Sequence, residues 1–470
     1  MELYSSNDSY KLYKGDMRNM LDVIKKESID AVLTDPPYEL NFMNKGWDNS
    51  GIAFQKETWQ KCYEVLKPGG YLLAFGGSRT FHRIACAIED AGFEIRDTIM
   101  WLYGSGFPKS LNIGLALDKK NGIESKIIGT NGTMQDLKKV GKITGHKMTF
   151  GQEGTENCER TENYIYEAQN EWKGWGTALK PSFEPIIVAR KPFKGSLVDN
   201  VIEYGVGGIN IDECRVPHNE KCKIMKKQNE INSIIQQSGR YDDTLELKPN
   251  GRFPANTILT YDETDFDEVC GGFPNTKGDS PNRKSRIGTG VPNFIYEENK
   301  KLGKENKKDG IVFHNYTDSG SASRYFYCAK ASKKDRDEGL DEFEEVDTTK
   351  LLNRKANTAG VLWEQGGTNA FSGAGGIKKN THPTVKPTEL MQYLIRLVSP
   401  NGATILDPFN GSGSTGKAVM YENKERNKNY KYIGIELTEE YLPISKARIE
   451  YVCKLNKEEL KEMQLSIFDL

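Results

Sequence analysis

The sequence predicts an α/β protein with a doubly wound, mostly parallel sheet that is assembled from both ends of the chain. Apolar runs such as IDAVLT (29–34) indicate strands that are buried on both faces. They alternate with stretches whose apolar residues recur at helical spacing, which is typical of a parallel sheet flanked by helices. The alternation resumes after residue 380, beyond a segment at about 200–380 that is rich in Gly, Asn, Ser, Lys and Asp. One sheet with a long insertion explains this pattern.

The amino-terminal part is predicted to alternate strands and helices. Its elements are a strand at 10–15, a helix at 17–26, a strand at 29–34, a helix at 58–70, a strand at 71–76, a helix at 79–92 and a strand at 93–103. Pro68-Gly69-Gly70 should end the second of these helices. Pro36 and Pro37 should end the strand before them, because proline cannot donate a ladder hydrogen bond. Residues 112–170 are polar without a clear period and are predicted to be an insertion.

A strand at 181–193 is predicted to lie at a sheet edge. After the middle segment, the predicted elements are a helix at 382–399, a strand at 402–409, a helix at 414–424, a strand at 430–437 and a helix at 439–455. The middle segment is predicted to be an irregular α+β insertion with exposed charged loops, such as the one at 297–310. The expected divisions of the chain are therefore 1–200, 201–380 and 381–460, followed by a mobile tail at 461–470.

The composition argues against several classes of protein. Charged residues make up 28% of the 470, the formal net charge is −1, and no run of about 18 apolar residues could span a membrane. The eight cysteines are scattered without a C-x-x-C pair, which argues against a zinc site or a disulfide framework and favours the cytoplasm. A nucleic-acid partner would have to meet a local basic face, because the net charge alone does not indicate one.

The stretch DPFNGSGSTGKA (407–418) matches more than one glycine-rich motif. A P-loop would need Ser or Thr after Lys417 to bind Mg²⁺, and Ala418 stands there instead. A dinucleotide loop fits better, since the glycines follow a strand, open a helix and precede Glu436, whose carboxylate can accept ribose hydroxyls. Asp407, however, is unfavourable beside a pyrophosphate and favourable beside a sulfonium and an ammonium. These residues favour S-adenosylmethionine as the ligand; a tight turn without a ligand is the alternative.

Asp35-Pro36-Pro37-Tyr38 follows a predicted strand, at the strand end where ligands bind in open α/β sheets. Methylation of an exocyclic amine, such as adenine N6 or cytosine N4, requires hydrogen-bond acceptors that free the delocalised lone pair of the nitrogen. The Asp35 carboxylate can supply one acceptor, and the Pro36 carbonyl, held by fixed proline torsions, can supply another. Tyr38 can stack on a base that has left the duplex, which is worth about 1–3 kcal/mol. An Asp-Pro turn beside a core tyrosine is the alternative.

TDPPY (34–38) and DPFNGSGSTG (407–416) resemble motifs IV and I of the DNA amino-methyltransferases that modify adenine N6 or cytosine N4. The catalytic motif precedes the cofactor motif, as in the β group of that family, and the pieces are similar to many phage and prophage methylases. The resemblance covers most of residues 10–110, 181–193 and 380–452. It implies a Rossmann-like methyltransferase sheet, S-adenosylmethionine as the cofactor, double-stranded DNA as the partner, no metal, and a target-recognition domain in the middle segment.

The resemblance also assigns site residues. The catalytic residues that it implies are Asp35, Pro36, Pro37 and Tyr38. The cofactor-binding residues that it implies are Asp16, Lys386, Asp407, Phe409, Gly411, Gly413, Thr415 and Glu436. Asp16 would meet the adenine amino group of the cofactor and Glu436 its ribose, while Lys386 and Thr384, within HPTVKP, would close over its methionine end. A helix cap for Asp16 and an exposed charge for Lys386 are the alternatives. Ser414 departs from the family's frequent pair of threonines.

The target base and the class of protein leave alternatives open. In the family, DPPY is more often associated with adenine N6 and SPPY with cytosine N4, so adenine is favoured and cytosine N4 is the alternative. An NAD-dependent oxidoreductase and a non-catalytic DNA-binding module are alternatives from other classes. Base reading is expected from arginine-containing pieces of the middle segment, namely Arg252, NRKSR (282–286) and Arg324.

The last residues suggest a second partner. QLSIF (Gln464–Phe468) resembles the short peptide by which bacterial replication proteins dock on the sliding clamp. Exposed apolar residues in a terminal tail are unusual if nothing covers them, and folding back onto the core is the alternative. A homodimer is left open by the sequence.

Overall fold

The chain is described by a computed structural model that covers most of the two predicted α/β parts. The described residues are 1–40, 50–103, 110–130, 164–216, 221–225, 241–247, 251–261, 275–277, 319–321, 326–330, 333–347, 377–456 and 458–460. Within these ranges no helix has the length and apolar character needed to cross a membrane. The same ranges contain no cluster of three or more His, Cys, Asp or Glu side chains arranged around a metal position.

A ten-stranded sheet forms the centre of the molecule. Its strands, numbered in chain order, are β1 Glu2–Ser6, β2 Tyr10–Lys14, β3 Ile29–Thr34, β4 Leu66–Phe75, β5 Glu94–Tyr103, β6 Phe183–Arg190, β7 Thr257–Tyr261, β8 Tyr327–Lys330, β9 Thr404–Asp407 and β10 Lys431–Glu436. Their order across the sheet is β1-β2-β10-β9-β3-β4-β6-β5-β7-β8. Strands β1 and β6 run antiparallel to their neighbours, and the others share one direction.

Eight α-helices are found in the described residues. They are α1 Lys56–Val65, α2 Phe81–Asp90, α3 Ile113–Lys120, α4 Leu197–Tyr204, α5 Lys333–Asp337, α6 Thr388–Val398, α7 Ser414–Arg426 and α8 Leu442–Lys454. Short 3-10 helices lie at Met17–Asp22, Ile52–Phe54, Asp212–Cys214 and Glu439–Tyr441. Two-stranded antiparallel ladders join Lys126–Thr130 to Tyr164–Glu167, Lys221–Met225 to Tyr241–Leu247, Asn275–Lys277 to Ser319–Ser321, and Val346–Asp347 to Ile377–Lys378.

The central strands supply hydrophobic cores on both faces of the sheet. Because side chains alternate along a strand, Leu72 and Ala74 of β4 join a cluster that includes residues of α1 and α2, such as Trp59. Leu73 and Phe75 join a second cluster, which contains residues of α6, α7 and α8. The doubly wound α/β fold that the sequence predicts is therefore confirmed.

Assembly of the sheet from both ends of the chain is also confirmed. Strands β9 and β10 come from the carboxyl-terminal part, yet they lie between β2 and β3 of the amino-terminal part. Leu406 of β9 pairs with Val32 of β3, and Ile433 of β10 pairs with Lys11 of β2. Connections leave in opposite directions from the boundary between β3 and β9, which makes it the topological switch point where such sheets bind ligands.

The prediction of a sheet edge at 181–193 is wrong. Strand β6 lies between β4 and β5 and is antiparallel to both, with Ile186 and Ile187 almost fully buried. It pairs with β5, the preceding strand of the sheet, as the second arm of a hairpin does, so no crossover helix is needed. An apolar run that is buried on both faces belongs in the interior of a sheet.

Three smaller expectations also need correction. The helix predicted at 17–26 is only the 3-10 helix Met17–Asp22, and strand β2 before it ends at Lys14. Strand β4 begins at Leu66, directly after α1, so Pro68-Gly69-Gly70 lies inside the strand. The middle segment also returns to the main sheet, because β7 pairs with β5 and β8 pairs with β7.

Candidate functional site

A large cleft lies at the sheet edge where the parallel strands β2, β3, β4, β9 and β10 end and where β6 begins. Its volume is about 1530 Å³, whereas sites for one small molecule usually measure about 300–1,000 Å³. Eleven of the site residues expected from the sequence border it, namely Asp16, Asp35, Pro36, Pro37, Tyr38, Lys386, Asp407, Phe409, Gly411, Thr415 and Glu436. The cleft therefore unites two motifs that are far apart in the sequence, with room for two ligands.

Asp407 anchors the turn that follows β9. Its Oδ1 accepts hydrogen bonds from Thr34 Oγ1 at 2.7 Å and from the Phe409 main-chain N–H at 3.1 Å, and its Oδ2 accepts one from Thr415 Oγ1 at 2.6 Å. Burial raises the pKa of this carboxyl to about 7, although the three hydrogen bonds oppose that shift. Asp407 was expected to stand beside a cationic ligand; in the fold, its carboxylate also ties the turn to the last residue of β3.

Gly411 and Glu436 form the wall of the cleft between β9 and β10. Glu436 Oε2 accepts a hydrogen bond from the Gly411 main-chain N–H at 2.7 Å, and Oε1 accepts one from the Thr438 main-chain N–H at 2.8 Å. Gly411 has a φ of +50°, and a Cβ there would come within 2.8 Å of His382 Nε2. A side chain at this position would therefore displace the histidine from the cleft wall.

Gly413 lies behind the cleft wall. Its φ is +75°, and a Cβ there would come within 2.5 Å of Ser445 Oγ on α8. Gly416 allows equally close packing, since its Cβ would come within 2.5 Å of both Ile449 Cδ1 and Tyr432 Cε1. The glycines of the motif therefore have different roles, and only Gly411 of the expected pair borders the cleft.

Lys417 faces away from the cleft. Its ammonium is fully buried and lies 2.5 Å from Asp335 Oδ1 and 2.7 Å from Glu338 Oε2, in and just after α5. A P-loop lysine must instead reach the phosphates of the nucleotide. This orientation, together with Ala418, argues against nucleotide hydrolysis.

Asp35 and Lys386 form an ion pair at the floor of the cleft. Lys386 Nζ donates to Asp35 Oδ2 at 2.6 Å and lies 3.4 Å from Glu184 Oε2. Burial would lower the pKa of Lys386, but the two carboxylates outweigh it and raise the pKa, so the lysine stays charged. Asp35 Oδ1 is buried and has no hydrogen-bond partner among the described residues. One carboxylate oxygen is thus held by Lys386, while the other is a buried acceptor without a partner in the described part of the chain, which is uncommon in folded proteins.

Tyr38 is oriented by the same cluster of charges. Its hydroxyl donates to Glu184 Oε2 at 2.8 Å, and the Lys386 ammonium lies 5.3 Å from the centre of its ring. Burial and the charges of Asp35 and Glu184 raise the pKa of Tyr38 well above its ordinary value, so the phenol remains protonated. The Tyr38 carbonyl also accepts a hydrogen bond from Thr80 Oγ1 at 2.8 Å.

Asp16 borders the opposite end of the cleft, and it caps the 3-10 helix Met17–Asp22. Its Oδ1 accepts hydrogen bonds from the main-chain N–H of Arg18 at 2.9 Å and from Arg18 Nε at 3.0 Å. The guanidinium lowers the pKa of Asp16. Asp16 therefore caps this helix, which was the alternative predicted from the sequence, and it also borders the cleft.

Glu184 and His382 border the cleft but were missed as site residues. Glu184 is the second residue of β6, which was expected at a sheet edge, and no motif in the sequence predicts it at the cleft. His382 belongs to the HPTVKP stretch, in which Thr384 and Lys386 were the residues predicted at the cofactor; its ring lies against Gly411 and contacts Tyr441. Burial lowers the pKa of His382 to about 4, so it is neutral at physiological pH.

NRKSR (282–286), Arg324 and the Gln464–Phe468 tail lie outside the described residues. Arg252 is described, and its main chain forms an isolated antiparallel bridge with Val216.

Comparison with known proteins supports the assignment suggested by the two motifs. A family model described as DNA methylase matches residues 29–447. The Type II methyltransferase M.HindIII of Haemophilus influenzae is 25% identical over 158 residues, which cover 33% of this chain and 37% of that protein. M2.LlaDCHI of Lactococcus lactis subsp. cremoris is 30% identical over 118 residues, 21% of this chain and 43% of the relative.

A shorter match is found to the DNA adenine methyltransferase YhdJ of Escherichia coli, which is 34% identical over 83 residues, 18% of this chain and 26% of that protein. Each of these matches thus spans less than half the length of the relative.

Proposed function

Because this chain belongs to the N6/N4 family of DNA methylases, we propose that it methylates the exocyclic amine of a base flipped out of double-stranded DNA. The proposed methyl donor is S-adenosylmethionine, and adenine N6 is the favoured target. Cytosine N4 is the alternative, because both bases carry the same kind of amine. The DPPY form of the motif and the printed name of YhdJ support adenine.

The observation that carries the proposal is the unpaired Asp35 Oδ1. Asp35 borders the cleft beside Tyr38; its Oδ2 is held by Lys386 at 2.6 Å, and its Oδ1 is buried without a hydrogen-bond partner among the described residues. An exocyclic amine can satisfy this oxygen by donating a hydrogen bond to it. The Pro36 carbonyl follows in the chain as a second acceptor, and Tyr38 offers a ring on which the base can stack.

The cofactor end of the cleft fits S-adenosylmethionine. The Glu436 carboxylate borders the cleft and can accept hydrogen bonds from ribose hydroxyls as well as from the main-chain N–H groups of Gly411 and Thr438. Gly411 lets His382 pack against the main chain of the cleft wall, and Asp16 borders the cleft as an acceptor for an amino group. When bound, the cofactor supplies a methyl group whose transfer to nitrogen leaves a neutral thioether.

The side chains of this protein then have distinct roles in the proposed reaction. Asp35 Oδ1 and the Pro36 carbonyl accept hydrogen bonds from the amine and direct its lone pair toward the methyl group. After transfer the nitrogen carries one proton too many, and Asp35 is the base that can remove it. Lys386, charged and fixed by Glu184, keeps the Asp35 carboxylate in one orientation. No step needs a metal ion.

The central experiment replaces Asp35 and measures two properties. We expect Asp35→Ala to abolish transfer of tritium from labelled S-adenosylmethionine to DNA while cofactor binding persists, because the residue faces the amine. Asp212→Asn, at an exposed carboxylate paired with Arg215, is the matched control and should keep full activity. Full methylation by Asp35→Ala would contradict this mechanism.

The cofactor site is tested with two glycines that share a positive φ. Gly411→Ala adds a Cβ within 2.8 Å of His382, whereas Gly402→Ala, at a φ of +79°, meets nothing within 4 Å. Both variants should lose roughly 1 kcal/mol of stability from strain, but only Gly411→Ala should weaken S-adenosylmethionine binding. The larger Gly411→Asp change should abolish it. Equal cofactor affinity in all three variants, or tighter binding of NAD than of S-adenosylmethionine, would contradict the assignment.

The target base can be identified directly. Sequencing of modified bases in DNA from cells that express only this chain would report the base, the position and the recognition sequence together. Methyladenine is expected. A chain that binds DNA without modifying it would instead support the non-catalytic alternative.

We also propose, from the sequence of Gln464–Phe468 alone, that the tail binds the bacterial sliding clamp. The full chain should bind the clamp, and a chain ending at Met463 should not. Equal binding by both chains, or none by either, would contradict this.

A further inference from the structure

One rim of the cleft carries a strongly exposed leucine. Leu179 is 91% exposed, more than any other large hydrophobic residue among those that the structure describes. It lies in the segment Thr177–Glu184, all of which borders the cleft, and it is followed by Lys180. Leucine gains about 1.5–3 kcal/mol on full burial, so a side chain this exposed is available to a partner.

The main chain on both sides of Leu179 is fixed. Ser110 Oγ accepts hydrogen bonds from the N–H groups of Thr177 at 2.9 Å and Ala178 at 3.2 Å. Beyond the leucine, the Ser182 carbonyl accepts a hydrogen bond from the Tyr103 N–H at 3.0 Å. The exposed side chain is therefore presented from an anchored segment, so little conformational entropy would be lost when it inserts into a partner.

This rim lies beside the proposed amine site. Glu184, which accepts the Tyr38 hydroxyl hydrogen bond, is five positions after Leu179 in the sequence. Five residues span at most about 18 Å. Arg79 also borders the cleft and is exposed in the loop after β4, the strand that neighbours β6. A duplex that lies against this rim of the cleft would meet Arg79 and Lys180, which suit its phosphates.

We propose that Leu179 inserts into the DNA duplex and fills the gap left by the flipped base. Apolar side chains are known to wedge between base steps, where they replace lost stacking. The apolar tip, the anchored segment and the adjacent cations provide the features that such an insertion requires. This inference rests on the proposed function, because only an enzyme that takes a base out of the stack needs to fill the gap.

The experiment compares two DNA substrates that contain the site mapped by sequencing. One is the matched duplex; the other places an abasic site opposite the target base, so that the base is already unpaired. Leu179→Ser should lower kcat/KM on the matched duplex on the order of ten- to hundred-fold, because unstacking costs a few kcal/mol. On the abasic duplex it should approach the wild-type value. With 2-aminopurine at the target position, Leu179→Ser should also show a smaller fluorescence rise on binding.

Two further variants separate insertion from a general loss of structure. Leu179→Met keeps an apolar tip of similar size and should retain most activity on both duplexes. Ile202→Ser replaces another highly exposed aliphatic residue on α4, which packs at the opposite end of β4 through the Asn200 to Pro68 hydrogen bond; it should match wild type.

Two outcomes would overturn the role of Leu179: full activity of Leu179→Ser on the matched duplex, or an equal loss on both duplexes. No methylation by the wild-type chain on any DNA would instead overturn the proposed function, and with it the need for insertion.

Discussion

Asp407 shows how one side chain can serve the fold and the site together. It receives hydrogen bonds from the end of β3, from the turn and from the start of α7. Asp407 precedes the glycines in the sequence, but the groups that donate hydrogen bonds to its carboxylate could not be predicted from the sequence. Thr34 and Thr415 donate hydroxyl hydrogens and so stabilise a carboxylate that burial alone would make more costly.

The raised pKa of Asp407 predicts a pH dependence of stability. The pKa of Asp407 is about 7 in the folded state and 3.8 in a free aspartate side chain. Between these values the folded state binds the proton and the unfolded state does not. The contribution of Asp407 is therefore fully present below about pH 4 and is lost as pH rises through 7, at a rate on the order of 1 kcal/mol per pH unit.

Urea unfolding of the cofactor-free protein between pH 5.5 and 8 would test this. In the wild type, the Asp407 contribution should make the free energy of unfolding fall more steeply with pH than in Asp407→Asn. Parallel pH profiles for the two proteins would contradict the prediction.

Glu184 is the least expected of the residues that border the cleft. Its carboxylate accepts the Tyr38 hydroxyl and lies 3.4 Å from the Lys386 ammonium. No motif marks it, because its role comes from the position of β6 between β4 and β5. The ion pair between the Lys386 ammonium and Asp35 was likewise not predicted from the sequence.

At the scale of elements, the short helix α5 explains the buried lysine of the glycine motif. Asp335 of α5 accepts hydrogen bonds from Lys417 of α7 at 2.5 Å and from the Thr388 N–H at the start of α6 at 2.7 Å. Arg448 of α8 lies 3.7 Å from the same carboxylate. One acidic side chain thus joins three helices on one face of the sheet.

This arrangement predicts a structural role for Lys417. Lys417→Met should leave Asp335 and Glu338 short of a buried partner and destabilise the protein by about 3–5 kcal/mol. Lys446→Met, at a partly exposed lysine 3.8 Å from Glu450 on α8, should cost less than about 1 kcal/mol. Chemical unfolding measures both. Weaker cofactor binding by Lys417→Met with unchanged stability would show that the lysine faces the ligand instead.

At the scale of the whole molecule, the two ends of the chain depend on each other. Strands β9 and β10 fill the space between β2 and β3, so neither part contains a complete sheet. The cleft has the same origin, because Asp35 follows β3 and Gly411 follows β9. A fragment that lacks either part would expose unpaired strand edges.

We therefore predict that the chain divided after Asp347 works only when both fragments are present. Fragment 1–347 and fragment 348–470 should each be poorly soluble or fail to unfold cooperatively alone. Together they should restore methylation of DNA, as measured with labelled cofactor. An undivided chain expressed in parallel is the control, and cooperative unfolding of fragment 1–347 alone would contradict the prediction.

The sequence alone determined the α/β class, the double-ended sheet and eleven of the residues that border the cleft. These features could be predicted because apolar periodicity and short motifs depend only on residues that are close together in the chain. Only the tertiary structure decided that Glu184 borders the cleft and that Lys386 contacts Asp35, which is 351 positions away in the sequence. It also decided that Lys417 faces away from the cleft and pairs with Asp335. Such contacts follow from the order of strands in the sheet, which local sequence does not encode.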